Sequence, residues 1–309
     1  MDKAGGGGMA AYQISVPGPL TSREAGQMRE LLKKQAARLE HSGFSCRWEE
    51  VGRGTRTVFH IHNREAGAKS EQGLRHSLGR AVADYYLAVN EPDLIHRIIT
   101  REFQYRNPGE SREIERYAYH LLDDSEAEEP SHRRRKYRIA RQVARYFYNH
   151  RDLAVDGYFQ FRMKRYRDIL MKLVEHAIDE YLLDQEYREF IDLLRYFVSI
   201  QQPKVPLVHV IHTGIRRFRL LDGEGRPLQM KEVDHTVEEL MDQVSSHEDL
   251  IVSTLLTVAP EQVVLHTRNP EENVVRTLMQ VFEERMMICN GCSGCRHLRG
   301  REDGFAPEG

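Results

Sequence analysis

Between Gln72 and Ile200 apolar residues recur three and four positions apart, whereas segments on both sides of that stretch alternate every second position. A chain whose hydrophobic period changes in this way cannot close into a single helical bundle or a single β-barrel. It needs sheet towards both ends and helices between them. The sequence therefore predicts a mixed α+β fold with a small N-terminal β-α-β-β unit, a mainly helical middle and a C-terminal α/β unit. The boundaries read as a Gly-rich leader over 1–10, then 11–90, 91–203 and 204–298, with a frayed tail over 299–309.

Local signals place the elements. Tyr12 to Val16 alternates and is stopped by Pro17-Gly18-Pro19; Thr21 then caps a helix to about Glu40, with Glu24 completing a capping box. Phe44 to Val51 and Thr55 to His62 form a hairpin around Gly52-Arg53-Gly54, and a helix over Gln72 to Val89 covers it. Asp93 to Phe103, Ser111 to Leu122 and His132 to His150 are further helices, and Gly157 to Arg162 reads as a short extended run. Arg165 to Ile200 is the longest helical region, with Asp184 as the one candidate position for a break. Beyond Pro206 the strands Leu207–His212, Ile215–Leu221, Gln262–His266 and Arg285–Cys289 alternate with helices over Val233–Val244, Asp249–Val258 and Glu271–Glu284. Strand, helix, strand at this spacing implies a parallel crossover at the C-terminal end.

The phrasing of several segments carries a resemblance. Asp156 to Arg162 (DGYFQFR) runs into Lys164-Arg165-Tyr166-Arg167, and Asp179 to Gln201 (DEYLLDQEYREFIDLLRYFVSIQ) follows. With Val208 to His212 and Asp249 to His266, these resemble the YtxC-like family of sporulation proteins over roughly Leu74 to Cys289. The resemblance implies a cytoplasmic protein of an endospore-forming bacterium, associated with sporulation. It brings no reaction, ligand or catalytic residue. The N-terminal stretch agrees with a cytoplasmic location, because Met1 to Ala11 lacks the basic start and apolar core of a secretory signal.

Chemistry is concentrated at the C-terminus. Of the four cysteines, Cys289, Cys292 and Cys295 form C-x2-C-x2-C, with His297 two residues on. Short ligands spaced three apart around Gly291 and Gly294 can converge on one soft cation. No cofactor is certain from this pattern, but three thiolates and an imidazole suit zinc, with His297 or Cys46 as the fourth ligand. A bacterial ferredoxin run would place a cysteine where this chain has Arg299, which disfavours an iron–sulfur cluster. Reduced thiols on a loose tail, or a thiol-redox role, are the alternatives. The strand before this loop would end at a carboxyl edge, where open α/β sheets bind ligands.

The second feature is the helix His132 to His150, which has no acidic residue and aligns Arg134, Arg138, Arg141 and Arg145 opposite Ile139, Val143, Tyr146 and Phe147. Such a helix docks by one side and can offer guanidinium groups to a polyanion by the other. A solvated face neutralised by the acidic linker Asp123 to Glu129 is the favoured reading. His60 and His62 share a strand face but supply only two ligands; His209 and His212 point to opposite faces. Glu175, His176, Asp179 and Glu180 read as a hydrated helix face. With 45 basic against 47 acidic residues, net charge argues for no particular partner, and no apolar stretch approaches the roughly 20 residues that cross a bilayer.

Phosphate-loop, dinucleotide, zinc-protease and serine-hydrolase signatures are missing from the sequence. The reading that follows is a non-enzymatic accessory or regulatory factor acting through contacts with an unknown protein partner. A zinc or thiol-redox protein and a nucleic-acid binder are the alternatives.

Overall fold

A computed structural model describes residues 11–63, 67–123, 132–212, 218–228 and 247–292. The chain divides into two compact units, residues 1–183 and 184–309. Helix and strand are both prominent, in the α+β class expected.

In the first unit a four-stranded sheet has the order β2-β3-β1-β4, from β1 (Ala11–Pro17), β2 (Cys46–Arg53), β3 (Arg56–Asn63) and β4 (Asp152–Ala154). β1 is antiparallel to β3 and parallel to β4. Tyr12, Ile14 and Val16 on β1, with Phe59 and Ile61 on β3, form a buried face. Met28 and Leu32 of α1 (Arg23–His41) and Leu74, Leu78 and Val82 of α2 (Ala68–Tyr85) join them in one core. Ser22, one residue beyond the expected Thr21, caps α1; its hydroxyl accepts from the Ala25 amide at 3.1 Å.

The helical path that begins with α2 does not stop before Pro92. A π turn over Tyr86–Asn90 leads directly into α3 (Glu91–Arg97), and a second π turn covers Ile98–Glu102. Proline has no amide to donate and collides with the carbonyl four residues back in a regular α-helix. The wider π turn before Pro92 relieves that collision, so the helical path continues where a break reads naturally from sequence. Ile95, Ile98 and Ile99 then pack with α4 (Pro108–Asp123) and the first part of α7 (Lys164–Ile200) in a second core cluster.

The stretch expected to be extended, Gly157 to Arg162, is instead helical within α6 (Val155–Arg162). Its closely spaced aromatics suggest strand alternation, but their partners favour a helix. Phe159 stacks on Tyr86 with ring centroids 3.6 Å apart, and Tyr158 meets Tyr146 edge-on at 5.0 Å. Asp156, in the first turn of α6, takes both terminal guanidinium nitrogens of Arg56, which holds its carboxyl below the ordinary range.

α5 (His132–Asn149) lies against α2 at a close approach. A Cβ added at Gly79 would sit 2.4 Å from the Ala140 carbonyl oxygen and 3.2 Å from the Ala144 amide nitrogen. Helix propensity alone favours alanine there by about 1 kcal/mol. Because the obstruction is backbone rather than a movable side chain, Gly79→Ala is expected to reverse that sign and cost about 2 kcal/mol. Denaturant unfolding of the variant checks this; a gain in stability would contradict it.

In the second unit a four-stranded sheet has the order β6-β5-β7-β8, from β5 (Val205–His212), β6 (Phe218–Asp222), β7 (Pro260–His266) and β8 (Met286–Ile288). β5 is antiparallel to β6 and parallel to β7, and β7 is parallel to β8, as the C-terminal crossover predicts. Val208, Val210, Val263 and Leu265 pack with Ile251 and Leu255 of α8 (His247–Val258) and Val275 and Leu278 of α9 (Asn273–Phe282). Ile191 and Val198 of α7 complete this core. The helix runs continuously through Asp184, the candidate break point. The helix read over Val233–Val244 lies outside the described residues.

Candidate metal centre

β7 and β8 reach the same sheet edge in parallel, with Leu265 opposite Ile288. β7 ends on His266, and Cys289 follows directly after β8. The Cys289 amide donates to the Leu265 carbonyl at 2.9 Å, which extends the ladder and sets the first thiol beside the imidazole. Gly291 then adopts φ +111°, a conformation that side chains rarely take. The backbone reverses there, and Cys292 Sγ comes to 3.6 Å from His266 Nδ1. The Gly291 amide donates to Cys289 Sγ at 3.4 Å.

One ligand atom from each of His266, Cys289 and Cys292 lies within 4.8 Å of the other two. No other trio of histidine, cysteine or carboxylate side chains is this close among the described residues. Tetrahedral zinc, with bonds of about 2.3 Å to sulfur and about 2.0 Å to nitrogen, separates a sulfur and a nitrogen ligand by about 3.6 Å and two sulfurs by about 3.8 Å. The Cys292–His266 separation already meets the first spacing. Cys289 and Cys292 need close by no more than about 1 Å to meet the second, and Cys289 and His266 by about the same to meet the first.

His266 is buried, and its pKa is held below the ordinary imidazole value, by that burial first and by neighbouring His209 second. A neutral ring has a lone pair to offer a cation. Its other nitrogen, Nε2, is 3.1 Å from His209 Nδ1. With Nδ1 on a metal, Nε2 would carry the proton and donate it to His209, the outer contact that fixes the tautomer and orientation of a ligating histidine. Ile211 aligns with His266 across β5 and β7, which places His209, two residues earlier, on the same sheet face.

His212 faces the other side, with Nδ1 2.9 Å from Thr267 Oγ1 and its ring stacked on Phe218. The opposite orientations of His209 and His212 follow the strand alternation expected. Cys295 and His297, the remaining members of the predicted ligand set, lie outside the described residues. Cys46 lies at the start of β2 in the first unit and packs against that unit's core.

Sequence reasoning missed His266 as a candidate ligand and His209 as its neighbour. The signal was present: two strands expected to be parallel neighbours ended on His266 and Cys289, both metal-ligand residue types. His60 and His62 share the half-exposed face of β3, and Glu175, His176, Asp179 and Glu180 are solvent-exposed on α7. Arg134, Arg138, Arg141 and Arg145 are all exposed on α5, opposite buried Ile139, Val143 and Phe147.

The chain is 28% identical over 206 residues to "Uncharacterized protein YtxC" of Bacillus subtilis (strain 168), an alignment covering 65% of this chain and 72% of that protein. No solved structure matches the chain. The family model described as "YtxC-like family" matches residues 76–287, a span that holds α5, His209 and His266 and ends two residues before Cys289. The matched region takes in more than half of the sequence, and the chain belongs to the YtxC-like family.

Proposed function

We propose that this protein is a non-enzymatic accessory factor in sporulation, acting through protein contacts, whose second unit carries a zinc ion on His266, Cys289 and Cys292. Cys295 or His297 supplies the fourth position. Such an ion ties the residues after β8 to the end of β7 and so holds one edge of the sheet in a defined shape. The observation that carries this reading is the convergence of an imidazole and two thiols within 4.8 Å. Sporulation is the process that the family resemblance implies.

Full-length protein purified without oxygen is expected to contain about one equivalent of zinc, because a site with two thiolates binds tightly at neutral pH. Less than about 0.1 equivalent of zinc, iron or another transition metal would contradict the metal reading. In an endospore former, loss of the protein is expected to lower the yield of heat-resistant spores, and a zinc-ligand variant to share the defect. Unchanged spore yield in its absence would remove the sporulation role.

A further inference from the structure

We propose that the outer face of α5 binds single-stranded nucleic acid, a function separate from the metal centre. The inner side of α5 is fully committed. Ile139, Val143 and Phe147 are buried, Arg135 pairs with buried Glu91, and Lys136 pairs with Asp84. The two basic residues facing inward are therefore neutralised by carboxylates from the neighbouring helical segments. Arg134, Arg138, Arg141 and Arg145 are all exposed, and none makes an ion pair among the described residues, outside which most of the acidic linker Asp123 to Glu129 lies. α5 itself contains no acidic side chain.

Charge alone would suit any polyanion, and the aromatic residues narrow the choice. Tyr137 and Tyr148 lie beside the arginine row on the same exposed arc of the helix and are 67% and 70% exposed, although tyrosine normally buries its ring. The guanidinium of Arg75 on α2 sits 5.1 Å from the Tyr148 ring centroid, which steadies that ring while leaving most of it open to solvent. A row of arginines with an open ring near each end meets both parts of an unpaired strand, its phosphates and its unstacked bases. In a duplex the base faces are already stacked and the tyrosines would have no partner. A lipid surface supplies no planar base for them.

The spacing fits as well. Arg145 lies eleven positions beyond Arg134, about 16 Å along the helix axis. A stacked strand carries one phosphate per about 3.4 Å, so four arginines face about five phosphates.

The test uses the full-length protein with fluorescent oligo(dT) and oligo(U) of about twenty nucleotides, titrated from 50 to 200 mM salt. Four phosphate contacts to a single strand predict a log–log salt slope of about −3, a loss of roughly fiftyfold across that range. Replacing the four arginines with glutamine should flatten the slope by about the same amount. Tyr137→Ala with Tyr148→Ala should weaken strand binding at least tenfold and leave the salt slope unchanged. All six positions are exposed, so matching thermal melts will show that the variants fold.

Duplex of the same length and vesicles rich in acidic lipid serve as competing probes and should bind at least tenfold more weakly than the strand. Two results would overturn the proposal: no salt-dependent binding of the strand by folded protein, or equal binding of duplex or vesicles with no effect of the tyrosine substitutions. Retained strand binding by a zinc-ligand variant would separate this outcome from that of the metal centre.

Discussion

His266→Ala and the pair Cys289→Ser with Cys292→Ser are each expected to lose more than nine tenths of the zinc retained by the unaltered protein after dialysis against a mild chelator. Each substitution removes one or two of the three ligands that converge within 4.8 Å, leaving too few to hold the ion against a chelator. His209→Ala should act differently. It leaves the ligand set whole and removes the partner 3.1 Å from His266 Nε2, so zinc affinity should fall by about tenfold without being abolished. Equal zinc content in the protein and its His266→Ala variant would show that the imidazole is not a ligand.

Glu91→Ala is expected to destabilise the first unit by about 3–5 kcal/mol, because it removes the carboxylate paired with the buried Arg135 guanidinium. Glu91 and Arg135 are both about 4% exposed. Arg135 also donates to the Leu122 carbonyl at 2.9 Å, and Glu91 accepts from the Tyr166 hydroxyl, so the pair links α3, α4, α5 and α7. Burial pushes the Glu91 pKa up, against the pull of Tyr166 and Arg135, which shows the desolvation cost of this carboxylate. Replacing both partners, Glu91→Leu with Arg135→Met, should restore much of the loss, since the apolar pair carries no desolvation penalty. Chemical denaturation of the three variants measures this. A double variant no more stable than Glu91→Ala would contradict it.

The parts of this fold that rest on long periodic signals were legible in the sequence. The hairpin, the helix over α7 and the C-terminal parallel crossover all follow from hydrophobic period and turn residues. Elements decided by tertiary partners were not. Gly157 to Arg162 became helical because Phe159 and Tyr158 have ring partners on other elements, which no local pattern displays. The continuous path through Pro92 depends on a π turn, a local rearrangement with no strong signature of its own.

The candidate site was legible in halves. C-x2-C-x2-C announced thiol chemistry, but a one-dimensional motif cannot name a ligand from another strand. His266 enters only through the register of β7 and β8, and a slip of one residue would turn its ring to the opposite sheet face. His209 is one step further removed, reached through β5. The arginine row on α5 was readable on a helical wheel, whereas the pairing of Arg135 and Lys136 on the inner side required the packed neighbours.

X-ray absorption at the zinc edge of the full-length protein tests the central claim most directly, since it reads ligand type and distance together. Two or three sulfurs at about 2.3 Å with one or two nitrogens at about 2.0 Å are expected, and one nitrogen fewer in His266→Ala loaded with zinc and kept from chelator. Three sulfurs would assign the fourth position to Cys295, and two sulfurs with two nitrogens would assign it to His297. A shell of oxygen atoms alone, or a spectrum unchanged by His266→Ala, would contradict the account.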